Sequence, residues 1–308
     1  MSDMTTERKT PNLFQRGVLQ NPITLKELRS RMRGRRAFVI LSIYLLATCT
    51  IIFFIYLFLA LENSTSASTG QLAGQTIFFV MIAIQMFLVV FVAPAFTSGA
   101  ITGEKERQTF ELLRTTLMSP RRFVFGKVIS ALGYVMLLIV STIPLIFLAF
   151  MIGGVSWIEI IVSQIMLVAG AFTYSLMGLY FSSRMKTTLS ATVMTYIVTL
   201  AILVGIPLIV LLGALVLSPF FALYTPLPDW FEAILAIGGI TLSFTNLPAA
   251  MLTAEIFLME NDAIWGFQPI GPGSYWIPSP WYGALIFHLF VAWIFFRWTI
   301  SRVARIAD

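Results

Sequence analysis

The sequence predicts an all-α integral membrane protein with six transmembrane helices and both termini in the cytoplasm. Three observations carry this expectation. The 308-residue chain is 58% apolar and only 11% charged, with a mean hydropathy of +0.89; soluble domains carry about 25% charged residues. Its apolar residues form continuous runs without alternation, the pattern of helices and not of a barrel. Finally, all 20 Lys and Arg residues fall on one side of a six-span arrangement. The same numbers exclude a soluble enzyme and a disordered chain, which is polar and charged.

A bilayer core about 30 Å thick needs about 20 apolar residues in a helix. Six segments meet that demand, at 37–61, 76–96, 123–152, 158–181, 189–217 and 280–298. The first follows a basic stretch, but it exceeds a signal peptide's apolar core of about 7–15 residues and no small-residue cleavage site follows. The chain therefore divides into a cytoplasmic N-terminal segment, 1–36, and one transmembrane domain, 37–308. The basic residues lie before the first span, in the loop 97–122 and just beyond it, at Arg184 and Lys186, and in the C-terminal tail. By the positive-inside rule this side is the cytoplasm.

The outer segment 218–279 carries five acids and no Lys or Arg. Its apolar stretch, 233–259, is broken at Asn246 and Pro248. The expected form is a re-entrant pair that dips from Trp230 to Leu247, turns at Pro248 and returns through Met259. A cap on the outer surface and a seventh span are the alternatives; the parity of the basic segments disfavours the last. Residues 267–280 read as an ordered outer loop with Tyr275, Trp276, Trp281 and Tyr282 at the membrane interface.

The sequence offers no catalytic, cofactor-binding or metal-binding motif. Cys49 and His288 are the sole residues of their types, so neither a disulfide framework nor a multi-histidine site exists within one chain. The one Gly-Lys pair, Gly126-Lys127, lacks the rest of a phosphate-binding loop, and no nucleophile elbow occurs. The spans are almost free of charge, with Glu159 at the outer end of the fourth. Transporters driven by ion gradients use charged groups at the midplane, so any energy for transport is expected from another chain.

The loop 97–122 is the most informative stretch. Thr102 is suited to cap a helix, and Glu104 and Glu106 suit its positive end. Phe110, Leu113 and Leu117 form an apolar face, while Arg107, Glu111 and Arg114 recur on another face and can pair. Ser119-Pro120 ends the helix. This amphipathic helix either lies on the membrane or docks a cytoplasmic partner.

The run Ile101-Thr102-Gly103-Glu104-Lys105-Glu106-Arg107-Gln108-Thr109-Phe110-Glu111-Leu112-Leu113, with Ser119-Pro120 and Gly126-Lys127, resembles the signature region of the type-2 ATP-binding-cassette (ABC) permeases. These are membrane subunits of the type V exporter architecture. The six-span plan and the re-entrant region extend the resemblance over most of the chain. Gln108 stands where many relatives have Gly, which favours an uninterrupted helix.

The resemblance implies that the helix over 104–118 is a coupling helix, with Glu104, Lys105, Glu106, Arg107, Phe110, Glu111, Leu113 and Arg114 meeting a separate cytoplasmic ABC ATPase that binds ATP and Mg. It implies a connecting helix over 22–36, which Asn21 can cap and Pro22 can open. It also implies a path lined by the second and fifth spans. There the second span offers Phe78, Met81, Gln85 and Phe91, and the fifth span with its inner end offers Thr188, Thr192, Thr195 and Thr199, whose spacing places the threonines on one helix face. These threonines line the path, or they bond back to their own helix or join helices. A mostly apolar lining suits a lipid, drug or other amphipath.

The expected function is that of the membrane-spanning permease subunit of an ATP-driven exporter, not itself an enzyme. Its partners would be the ATPase, a second permease subunit in a homo- or heterodimer, and membrane lipid, with no nucleic acid. Its place would be the inner (plasma) membrane of a prokaryote. The alternatives are a mechanotransmitting permease that moves an outer partner, and a membrane-embedded lipid-modifying enzyme.

Overall fold

Apolar helices of 24–37 residues dominate the chain, each longer than the roughly 20 residues a bilayer demands. The computed structural model describes residues 35–62, 68–109, 119–223, 228–261, 267–270 and 275–307. Among these, six helices are long and apolar enough to cross a membrane: Phe38–Leu61, Gly70–Glu106, Pro120–Ile152, Trp157–Arg184, Thr188–Phe220 and Pro280–Arg305. Each coincides with one of the expected spans. The second runs ten residues further than expected, because its polar residues do not end it. Thr97 Oγ1 donates to the carbonyls of Ala93 and Pro94 at 3.3 and 3.2 Å, which keeps its hydroxyl inside the helix. The connecting helix expected over 22–36 lies outside the described residues apart from its last two, which open the first span.

The first span is α1 (Arg35–Glu62). The second is assembled from α2 (Ser68–Phe87), a π segment (Leu88–Val92), α3 (Ala93–Ser98) and α4 (Thr102–Glu106). The third comprises α5 (Pro120–Ser141) and α6 (Ile143–Ile152), and the fourth is the single helix α7 (Trp157–Arg184). The fifth is α8 (Thr188–Leu200), a second π segment (Ala201–Gly205) and α9 (Ile206–Leu223). The sixth is α12 (Pro280–Ala307).

Helix α7 is the centre of the bundle. It packs against α12, α3, α8 and α5. Small residues make that possible: Ala169, Gly170, Ala171, Ser175, Gly178 and Ser182 are all buried, and small side chains let helix backbones approach closely. Its N-terminus is fixed by a capping box. Ser156 Oγ accepts from the Glu159 amide at 3.2 Å, and Glu159 Oε2 accepts from the Ser156 amide at 3.3 Å. The first and fifth spans are instead largely exposed, with rows such as Leu208, Ile209, Leu211, Leu212, Leu215 and Val216 facing outward.

Between the fifth and sixth spans lie α10 (Asp229–Ser243) and α11 (Leu247–Asn261). Each has 15 residues, about 22 Å of helix, which is too short to cross the core alone. Their turn reaches midway along the neighbouring spans. Leu247 seats against Gly170 of α7, and Asn246 bonds to carbonyls of the π segment in the fifth span. The pair is therefore re-entrant relative to the bundle. Its turn falls at Phe244-Thr245-Asn246, earlier than the expected Pro248. That proline sits in the first turn of α11, where its missing N–H costs nothing.

The connection between α11 and α12 holds a small addition to the all-helical plan. Strands β1 (Phe267–Ile270) and β2 (Tyr275–Pro278) pair antiparallel, with Phe267 opposite Pro278 and Ile270 opposite Tyr275. Both are edge strands, which is where proline is tolerated in a ladder.

Candidate functional site: the basic end of the second span and its interrupted neighbours

The second span ends in a short helix tied by side chains to three other spans. Helix α4 begins with buried Thr102. The sequence suggested Thr102 as its cap, but Thr102 is the first helical residue and its hydroxyl turns back to the Ser98 carbonyl at 3.4 Å. The cap comes from α7 instead. Ser182 Oγ accepts from the amides of Ile101 and Thr102 at 2.9 and 3.0 Å, satisfying donors that a helix start leaves open.

Three charged residues of α4 then bind three different elements. Lys127 Nζ of α5 donates to Glu104 Oε1 at 2.5 Å, with the two side chains 5% and 22% exposed. Lys105 Nζ donates to the carbonyls of Ser183 and Met185 at 2.7 and 3.3 Å, closing the C-terminus of α7. Glu106 accepts from the Thr188 amide at 2.7 Å and from its hydroxyl, at the N-terminus of α8, where a carboxylate is favoured by the helix dipole. Glu104, Lys105 and Glu106 thus face the bundle.

Helix α4 stops at Arg107, and Gln108 has φ of +57°. The expectation of an uninterrupted helix through Gln108 is corrected here. The left-handed region costs a side chain energy but not glycine, and this chain adopts at Gln108 the turn that glycine would favour. Arg107 is exposed at that turn. Phe110, Glu111, Leu113 and Arg114 lie outside the described residues.

Further into the bundle, three spans are interrupted, and each interruption is closed by a neighbour's side chain. In the second span, the Phe91 carbonyl within the π segment accepts from Tyr196 Oη of α8 at 2.7 Å. In the third, Thr142 and Pro144 separate α5 from α6. Gln85 Nε2 reaches the Ile139 carbonyl beside that break at 3.4 Å and also donates to Thr142 Oγ1, while Gln164 Nε2 donates to Gln85 Oε1 at 3.0 Å. In the fifth, Asn246 Nδ2 donates to the carbonyls of Ile202 and Leu203 at 3.3 and 2.9 Å. At membrane depth no water serves such groups, so protein must. Sequence reasoning took Asn246 only as a break. Its position one residue before a new helix was the available signal, since its Oδ1 also accepts from the Ala249 amide at 3.4 Å.

Replacing Asn246 by Leu is expected to lower thermal stability in detergent by about 1 kcal/mol, the scale of side-chain bonds between membrane helices, with the protein still inserted. An unchanged melting temperature would show that the π segment of the fifth span does not need this donor.

Most of the expected lining residues are committed to packing or bonding. Phe78 and Met81 are buried. Thr195 and Thr199 are buried and donate to carbonyls of their own helix at 2.7 and 2.8 Å. Thr192 pairs with Ser98 at 3.0 Å, and Thr188 holds Glu106. The threonine face of α8 lies along the basic half of the second span.

The fold and this site define a polytopic α-helical membrane subunit, with interrupted spans and a second span whose end is tied into the bundle. The chain belongs to the ABC-2 family of transporter proteins, whose family model matches residues 22–257. It is a permease subunit of an ABC transporter and a multi-pass membrane protein. Membrane subunits of this family generally pair with an ATPase subunit. A comparison with curated proteins gives no match.

Proposed function

We propose that this permease belongs to an ATP-driven exporter of a prokaryotic inner membrane, with its basic end in the cytoplasm, and that the segment from Glu104 to Met118 couples it to a separate ATPase. The ATP and Mg would be held by that partner, and no residue of this chain would act in hydrolysis. A second permease subunit would complete the transport unit, and the exposed faces of the first and fifth spans leave surface for it and for lipid.

One observation carries the reading. A segment that receives force from a partner must be joined firmly to the elements it moves. The end of the second span is bonded to the third span through Lys127, to the fourth through Ser182 and the Ser183 and Met185 carbonyls, and to the fifth through Thr188. Displacement of α4 would shift four spans together. The positive φ at Gln108 sets the direction in which the chain leaves this junction.

The test uses residues that make no part of the junction. Arg107→Glu reverses an exposed charge, and Phe110→Ala removes the aromatic that the sequence places on the docking face. Each should leave the melting temperature of the purified permease unchanged and reduce recovery of the ATPase on co-purification at least several-fold, since interface charge and buried aromatics govern association. Undiminished ATPase recovery with both variants would end the assignment of this segment as the coupling element.

A further inference from the structure

The end of the bundle opposite the basic residues contains a cavity of about 270 Å³ between α2, α7 and α11. Its walls are apolar: Phe78, Ile82 and Met86 from α2, Val162 and Met166 from α7, and Met251 from α11. Two polar residues reach it. Ser163 spends its hydroxyl on the Ile160 carbonyl of its own helix at 3.0 Å. The other is Glu255 of α11, which is only 6% exposed and whose Oε1 has no hydrogen-bond partner.

An unpaired buried carboxylate is costly, and such groups are normally paired. Among the described residues no Lys or Arg pairs with it, and the sequence holds none between Lys186 and Arg297. Another acid, Glu159, acts on it electrostatically. Burial first, and then that acid, push the Glu255 carboxyl above its ordinary range, and a cation seated beside it would draw it back to the charged form.

We infer that this cavity is a binding site for a small amphipathic organic cation, with Glu255 supplying the countercharge and the α2, α7 and α11 walls receiving the apolar body. The volume lies near the lower end of ligand pockets, which run from about 300 Å³, and fits a monovalent amine with one ring. The cavity opens sideways, past exposed Ala83 and Leu252, so a membrane-dissolved amphipath enters without crossing the polar ends. Asn246, which starts α11, holds the π segment of the fifth span. Occupancy of the cavity therefore bears on the same helix that joins the re-entrant turn to that span. The inference names a substrate class for the exporter proposed above and rests on that reading for its physiological meaning. Its test contains no ATPase, so failure of binding leaves the coupling proposal standing, and failure of coupling leaves binding standing.

The experiment is equilibrium dialysis of the full-length permease in phosphatidylcholine nanodiscs, with lipid-only discs subtracted. The probes are benzyltrimethylammonium, its uncharged carbon isostere neopentylbenzene, and the anion phenylmethanesulfonate. The cation is expected to bind saturably at one site per chain, at least tenfold more tightly than the isostere, with no binding of the anion. Glu255→Gln should weaken the cation at least tenfold and leave the isostere unchanged, while Glu255→Asp retains most of the cation's affinity. Ala83→Phe, which fills the cavity from its open side, should exclude both ligands. If Glu255→Gln does not fold, the charge series on the wild type and Ala83→Phe still decide. Equal binding of cation and isostere, or cation binding that survives Ala83→Phe, would overturn the site.

Discussion

Glu104→Ala is expected to destabilise the folded permease by about 3 kcal/mol. The carboxylate pairs with the Lys127 ammonium at 2.5 Å, and the Lys127 side chain is only 5% exposed. Removing one member of a buried pair costs about 3–5 kcal/mol, because the remaining buried charge loses its counterion. The lower end applies here, since Glu104 keeps 22% of its surface and the ring of Phe123 lies 5.7 Å from the ammonium. Replacing both residues with Met should recover most of the loss, because an apolar pair of similar volume is often as stable as a buried ion pair. Chemical unfolding in detergent of the two single variants and the double variant gives the coupling energy directly. Additive losses would show that the two residues do not act together. The same geometry separates folding from docking. Charge reversal at Glu104 would place two ammonium groups in one buried site, whereas Arg107 can be reversed without touching the bundle.

The six spans were legible because a membrane helix writes itself as a long apolar run, and because every Lys and Arg falls between, beyond or near the ends of the apolar runs. The outer pair was legible for the same reason, in the shortness of its two apolar halves. The direction in which charged side chains point was not. Glu104, Lys105 and Glu106 read equally well as an exposed docking face, and only packing shows that Lys127, the end of α7 and Thr188 take them up. Gln108 misled by its propensity: a good helix former sits where the fold imposes a positive φ. The two π segments left no mark in their apolar runs, since Leu88–Val92 and Ala201–Gly205 differ little from the residues around them. Their signal lay elsewhere, in the polar residues Tyr196 and Asn246 set in otherwise apolar surroundings. Glu255 was visible as an acid near the end of the outer apolar stretch, but nothing in the sequence placed it against a cavity wall.

Gly178→Leu is expected to cost about 3 kcal/mol and to loosen the junction at the basic end. A Cβ at Gly178 of α7 would stand 2.3 Å from Thr97 Oγ1, 3.0 Å from the Pro94 carbonyl oxygen and 3.3 Å from Pro94 Cα. Two of these three atoms are backbone, and Thr97 is itself fully buried with its hydroxyl bonded to its own helix. No rotamer change relieves the clash, so α3 and α7 must move apart. Overpacking of this kind typically costs about 1–3 kcal/mol and sometimes more, and Leu carries three carbons beyond the first. Ser182 follows one turn later on α7 and caps the start of α4 at 2.9 and 3.0 Å. Separation at Gly178 therefore withdraws that cap, and Ser182→Ala added to Gly178→Leu should cost less than it does alone, because contacts sharing one displacement are not additive. Gly213→Leu on α9 is the control: its Cβ would meet nothing within 4 Å, and leucine in a helix is favoured over glycine by several tenths of a kcal/mol. Thermal unfolding should therefore fall sharply for Gly178→Leu and not for Gly213→Leu. Equal melting of the two variants would mean that the second and fourth spans are not in contact at this level. The rigid connection from the end of the second span to the rest of the bundle would then lack its foundation.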